Sequence, residues 1–141
     1  MATPKLTILL SGMIAGVPHH GGATWAVLQY LLGFKRLGHD VLFVEPVKQA
    51  DLRPAGAPLA RSENAAYFGR VMADFGMGES SALLLAGTRR TVGVSYERLR
   101  ETARRADLLV NISGLLADGA LAEDIPLRAY LDLDPGFTQL W

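Results

Sequence analysis

Two adjacent histidines, His19 and His20, stand directly before a glycine pair, Gly21 and Gly22, in the stretch Gly12-Met-Ile-Ala-Gly-Val-Pro-His-His-Gly-Gly22. Imidazole titrates near neutral pH, so either histidine can accept a proton from a hydroxyl nucleophile within hydrogen-bond reach. The N–H groups of a glycine-rich loop that runs into a helix can hold a phosphate, a carboxylate or a sugar hydroxyl, aided by the helix dipole. Gly21 and Gly22 either permit close approach of such a ligand or simply turn the chain between strand and helix. Asn111 is a polar residue inside an apolar run and needs partners, backbone or ligand, and Ser113 closes the same run. Asp132 and Asp134 fall on one strand face, where they would orient an acceptor hydroxyl or steady a histidine. The alternative is ordinary edge-strand charge and an Asp134-Pro135-Gly136 turn. The candidate catalytic residues are therefore His19, His20 and Asp134, and the candidate ligand-binding residues Gly12, Gly21, Gly22, Thr24, Asn111 and Ser113. His39, in a Gly38-His39-Asp40 turn, completes a set of three histidines whose placement forms no metal site. Glu45 ends an apolar run where dinucleotide-binding folds hold a ribose. The loop before it lacks G-x-G-x-x-G, and no G-x-x-x-x-G-K-[ST] occurs, so neither NAD nor a P-loop nucleotide is expected.

The elements that must position these residues alternate between two periodicities. Lys5–Ser11 is a continuous apolar run, as in a strand buried on both faces of a parallel sheet. Ala23–Leu37 reads as a helix with Thr24 as N-cap, Lys35 and Arg36 in the last turn and Gly38 as the stop. Asp40–Val47 repeats the strand signature, and Lys48–Arg61, rich in Pro, Ala and Gly, reads as a surface loop. Ser62 caps a second helix whose Phe68, Val71, Met72 and Phe75 form a core-facing stripe. Ser81–Ala86 is a third strand, 88–94 a connector, and Ser95 opens a third helix with Leu99, Ala103 and Ala106 inward and Arg98, Arg100, Arg104 and Arg105 outward. Asp107–Ser113 is a fourth strand. A short helical stretch through Leu115–Ala122 then leads to Leu127–Asp134, whose alternation of apolar and polar residues suits a sheet edge or a cleft wall. The expected fold is α/β, doubly wound, with a mainly parallel sheet of about five strands and helices on both faces.

With 141 residues, half of them hydrophobic, the chain fits a single domain, 1–141. Fourteen basic residues balance fourteen acidic ones, which argues against nucleic acid or an anionic membrane as partner. No cysteine is present, which excludes disulfides and thiolate chemistry and suits a cytoplasmic setting. The apolar run Leu6–Leu10 is too short for a membrane span. The end at Trp141, without a closing helix over the sheet, suggests a missing continuation, a C-terminal partner domain or self-association.

The segment from Gly21 to Glu45 resembles the start of a GT-B-fold glycosyltransferase. In such N-terminal domains a first strand leads to a loop with paired glycines, an amphipathic helix and a Gly-His-Asp/Glu-Val opening of the second strand. Here these are Gly21-Gly22 and Gly38-His39-Asp40-Val41. The closing Tyr130-Leu-Asp-Leu-Asp-Pro-Gly-Phe-Thr-Gln139 also resembles a segment of bacterial proteins similar to such transferases. The resemblance implies a Rossmann-like half of a two-domain enzyme, the acceptor-side domain of a glycosyltransferase that moves a sugar from a nucleotide sugar to a hydroxyl acceptor. It implies no cofactor beyond that nucleotide-sugar co-substrate, a small-molecule sugar acceptor as partner, and Gly21 and Gly22 near donor phosphates or acceptor with His19 or His20 as base. The donor-binding motifs of the second domain have no counterpart in this chain. A non-catalytic α/β ligand-binding or interaction domain is the alternative.

Overall fold

Alternation decides where each strand residue goes. In β1 (Thr7–Ser11), Ile8 and Leu10 join one core with residues of α1 (Gly21–Arg36) and α2 (Glu63–Asp74), whereas Leu9 joins a second core with α3 (Tyr96–Arg105) and α4 (Gly119–Ala122). A strand with apolar side chains on both faces is stable only if both faces are covered, and here they are. The computed structural model describes residues 3–133. Asp134 and the rest of the tail singled out by the sequence, 134–141, lie outside the described residues.

The chain is α/β, built on a single, mostly parallel sheet in the order β4-β3-β2-β1-β5-β6, with β2 at Asp40–Val47, β3 at Ser81–Leu85, β4 at Thr91–Gly93, β5 at Leu108–Ile112 and β6 at Leu127–Leu131. β1 lies between β2 and β5, with Ser11 in register with Val44 on one side and Asn111 on the other. The loops after β1, β2 and β5 therefore meet at one edge, the carboxyl edge where α/β sheets bind ligands. No helix among the described residues is long and apolar enough to cross a membrane.

Three expectations change. The sheet has six strands among the described residues, not about five, because 88–94 contains β4, which pairs antiparallel with β3. Three residues are too short to show a period-2 pattern, so this strand left no signal. Helix α1 begins at Gly21, with His20 rather than Thr24 in the N-cap position. Thr24 is buried in the first turn instead. Phe75, expected inward, lies past the end of α2, exposed and against the ring of Trp25 at 6.4 Å. The cap at Ser62 forms as expected, its hydroxyl accepting from Ala65 N–H at 3.0 Å, and Ser95, expected as the start of the third helix, is its N-cap, accepting from Arg98 N–H at 3.2 Å. The arginines Arg98, Arg104 and Arg105 face outward, and Arg100 is half-buried.

Gly93 closes β4 at φ 97°, and a Cβ there would strike the carbonyl of Ser81. Gly93→Ala is expected to destabilise the protein by about 2 kcal/mol or more, through strain and loss of the β3–β4 pairing. Gly69→Ala, on the exposed face of α2 with nothing within 4 Å of the added carbon, should instead stabilise by about 0.5–1 kcal/mol. Urea unfolding of both variants checks the contrast.

Candidate functional site

Glu45 lies near the end of β2 and is completely shielded from water. Its carboxylate accepts from three consecutive backbone N–H groups of the β1–α1 loop. Ile14 donates to Oε1 at 2.9 Å, Ala15 to both oxygens at 2.9 Å, and Gly16 to Oε2 at 2.7 Å. Three successive N–H groups aimed at one point make an anion-binding nest, and here the anion comes from the chain itself. Burial pushes the Glu45 carboxyl up to about 7, against the downward pull of the Ala15, Ile14 and Gly16 N–H groups.

The same loop is held from its other side by Asn64, buried in the first turn of α2. Its Nδ2 donates to the carbonyls of Ala15 at 2.8 Å and Asp51 at 3.2 Å, while Oδ1 accepts from Arg53 N–H at 2.9 Å. Asn64 thus ties the β1–α1 loop to the loop after β2. Sequence reasoning read this turn only for its cap, Ser62. The available signal was that Asn64 falls four and seven residues before Phe68 and Val71, a polar residue on the core-facing stripe.

Beyond this locked portion the loop opens. His19 and His20 are exposed. His19 adopts the left-handed region at φ 66°, uncommon for a residue with a side chain, and its ring sits 5.0 Å from that of Tyr67 on α2. The Tyr67 hydroxyl in turn shares a hydrogen bond of 2.7 Å with Thr24 Oγ1. Tyr67 is a second residue that sequence reasoning missed. His20 occupies the N-cap position without a side-chain bond to the helix, and no acidic residue stands in the first turn. Gly21 and Gly22 form that exposed turn, and neither has a positive φ nor any atom within 4 Å of where a Cβ would be.

His19, His20, Gly21, Gly22 and Thr24 are therefore brought together around the start of α1, joined by Tyr67. Gly12 is elsewhere in character: it is buried, and a Cβ there would meet the Val27 methyls at 3.0 and 3.1 Å, so it serves the packing of α1 on the end of β1. Asn111 uses its amide on the backbone, donating to Leu116 C=O and accepting from Leu116 N–H, both at 3.1 Å. Ser113 is exposed at φ 59°, its N–H bonded to the Leu131 carbonyl. Asn111 lies in β5 and Ser113 in the turn that follows it, next to β1 in the sheet. Asp132 is half-buried past the end of β6. No group of acidic, histidine or cysteine residues among the described residues could hold a metal ion. No protein-family model, curated protein or solved structure matches the chain.

Glu45→Ala leaves buried N–H groups without an acceptor and should destabilise the fold by about 3 kcal/mol. The pH dependence has a definite sign. The folded carboxyl binds its proton more tightly than the ordinary value of 4.5, so its contribution to stability falls as pH rises from that value to about 7. Glu45→Gln should lack this part of the slope. Urea unfolding from about pH 5 to pH 8 measures both effects.

Proposed function

We propose that this chain is the acceptor-side, Rossmann-like domain of a glycosyltransferase, binding its ligands at the carboxyl edge of the sheet, at the start of α1. The observation that carries the reading is the Gly21-Gly22 pair. Glycine in a helix costs up to about 1 kcal/mol relative to alanine, and nothing in the local geometry asks for it at either position. The left-handed residue of the turn is His19, not a glycine. Two small residues over the first free N–H groups of a helix without a side-chain cap leave room for a phosphate or a sugar hydroxyl. His19 or His20 beside them is placed to take the proton of an acceptor hydroxyl. The residue pattern from Gly21 to Glu45 supports the glycosyltransferase class, and helices on both sheet faces support the doubly wound arrangement that such domains have. In that arrangement a facing domain supplies most donor contacts.

A specific observation favours a second reading, a non-catalytic ligand-binding domain: the three loop N–H groups best arranged for an anion are bonded to Glu45, which leaves only the outer turn for a ligand.

The reading predicts opposite effects on stability and binding. Gly21→Ala and Gly22→Ala should leave the fold as stable or raise stability by about 0.5 kcal/mol, yet weaken binding of a nucleotide sugar by about tenfold, a loss of roughly 1.4 kcal/mol. Amide NMR titration with UDP-glucose measures the binding, and its shifts should concentrate between His19 and Thr24. Shifts confined to other parts of the sheet, or unchanged binding by both variants, contradict the assignment. Loss of transfer activity in His19→Ala or His20→Ala, assayed with a facing domain present, separates the catalytic from the binding reading.

A further inference from the structure

Two adjoining cavities of about 390 and 330 Å³ lie over the carboxyl ends of β2 and β3 and share Pro46, Ala86, Leu115 and Ala117. Together they make one groove. One wall is the β1–α1 loop, which turns Met13 and Val17 toward it, two of the few large apolar side chains left more than a third exposed, at 39% and 38%. The opposite wall is the turn after β5, whose Leu115 and Ala117 are positioned by the Asn111 bonds to Leu116.

The groove offers little to an anion. Of the loop's N–H groups, those of Ile14, Ala15 and Gly16 already bond Glu45. Its charged lining residues are Lys48 and Asp51 at one end and Asp118 at the other, where Asp118 Oδ2 accepts from the Tyr96 hydroxyl at 2.8 Å. Two carboxylates to one ammonium repel a phosphate. The space, in contrast, is within the range of about 300–1,000 Å³ typical of sites for small organic ligands, and such sites are mostly apolar with a few polar groups. A methionine wall adapts to varied apolar shapes.

From this division we infer that the groove binds an apolar, uncharged small molecule bearing a hydroxyl, a phenol or lipophilic alcohol, with the hydroxyl toward the polar ends and the apolar body along Met13, Val17 and Leu115. This deepens the proposed function, on which it rests, by naming the acceptor class. The anionic donor then belongs to the outer turn at Gly21 and Gly22, and the acceptor to the groove beside it on the same loop.

The test uses the whole chain and 2-naphthol as probe, read by amide NMR, with inorganic pyrophosphate as the anionic comparison. The expected result is saturable shifting of Met13, Gly16, Val17, Ala86, Leu115 and Ala117 by 2-naphthol and none of these by pyrophosphate. Val17→Glu and Ala117→Glu, both at exposed positions, should keep the fold and weaken naphthol binding at least tenfold. Absence of saturable shifts in the groove, equal affinity in both variants, or pyrophosphate shifts at these amides would overturn the inference. Groove shifts that depend on protein concentration alone would also overturn it, by making the occupant a second copy. The two readings fail separately. Naphthol binding without nucleotide-sugar shifts at His19–Thr24 sinks the glycosyltransferase reading and leaves the groove, and the reverse pattern sinks the groove alone.

Discussion

A carboxylate without access to water, received by three consecutive backbone N–H groups, determines the shape of the β1–α1 loop at the carboxyl edge. Glu45 and the 14–16 segment are mutually dependent. The loop could not bury its N–H groups without an acceptor, and the carboxylate could not be buried without donors. Once the two are joined, Ile14 and Ala15 can enter the core beside Val27 and Leu28, and Asn64 can reach the Ala15 carbonyl. The first residues of α1 are then held at the edge of the sheet. The loop after β2 is tied in through the same asparagine, so the loops after β1 and β2 are joined to each other and to the first turn of α2 as one rim.

This arrangement divides the β1–α1 loop by function. Its inner part satisfies its own polar groups and gives the outside only apolar side chains. Its outer part, from His19 to Gly22, has rings, a hydroxyl partner at Thr24–Tyr67 and helix N–H groups open to solvent. The division also has an electrostatic side. Burial, which disfavours the charge of this carboxyl, outweighs the N–H donors, which favour it, and pushes the group up to about 7. The rim is thus sensitive to conditions near neutrality, while the alternating strand cores beneath it, held by apolar contact, are not.

Much of the fold was legible because its determinants are periodic. Long apolar strands, the stripe of Phe68, Val71 and Met72, and the serine caps each carry a local pattern that tertiary packing did not override. What escaped was either too short to be periodic, as with Thr91–Gly93, or dependent on where the backbone turns. Thr24 looked like a cap because its type suits one, but the helix begins three residues earlier, at glycines that carry no helix-start signal of their own. The candidate site was half visible. The histidines and glycines stood out by type, whereas Tyr67 and Asn64 act across about 43 and 49 residues of sequence, a separation that no local spacing reveals. Glu45 drew notice for its position, but its partner was the chain's own loop, not a ribose.

The claim that Glu45 holds this rim is tested most directly by amide hydrogen exchange at Ile14, Ala15 and Gly16 in the unmodified protein. If the three N–H groups are bonded to a buried carboxylate, they should exchange as slowly as the amides of β1, orders of magnitude below the rate at His20 and Gly21. Exchange at Ile14, Ala15 and Gly16 as fast as at those exposed residues would contradict the account.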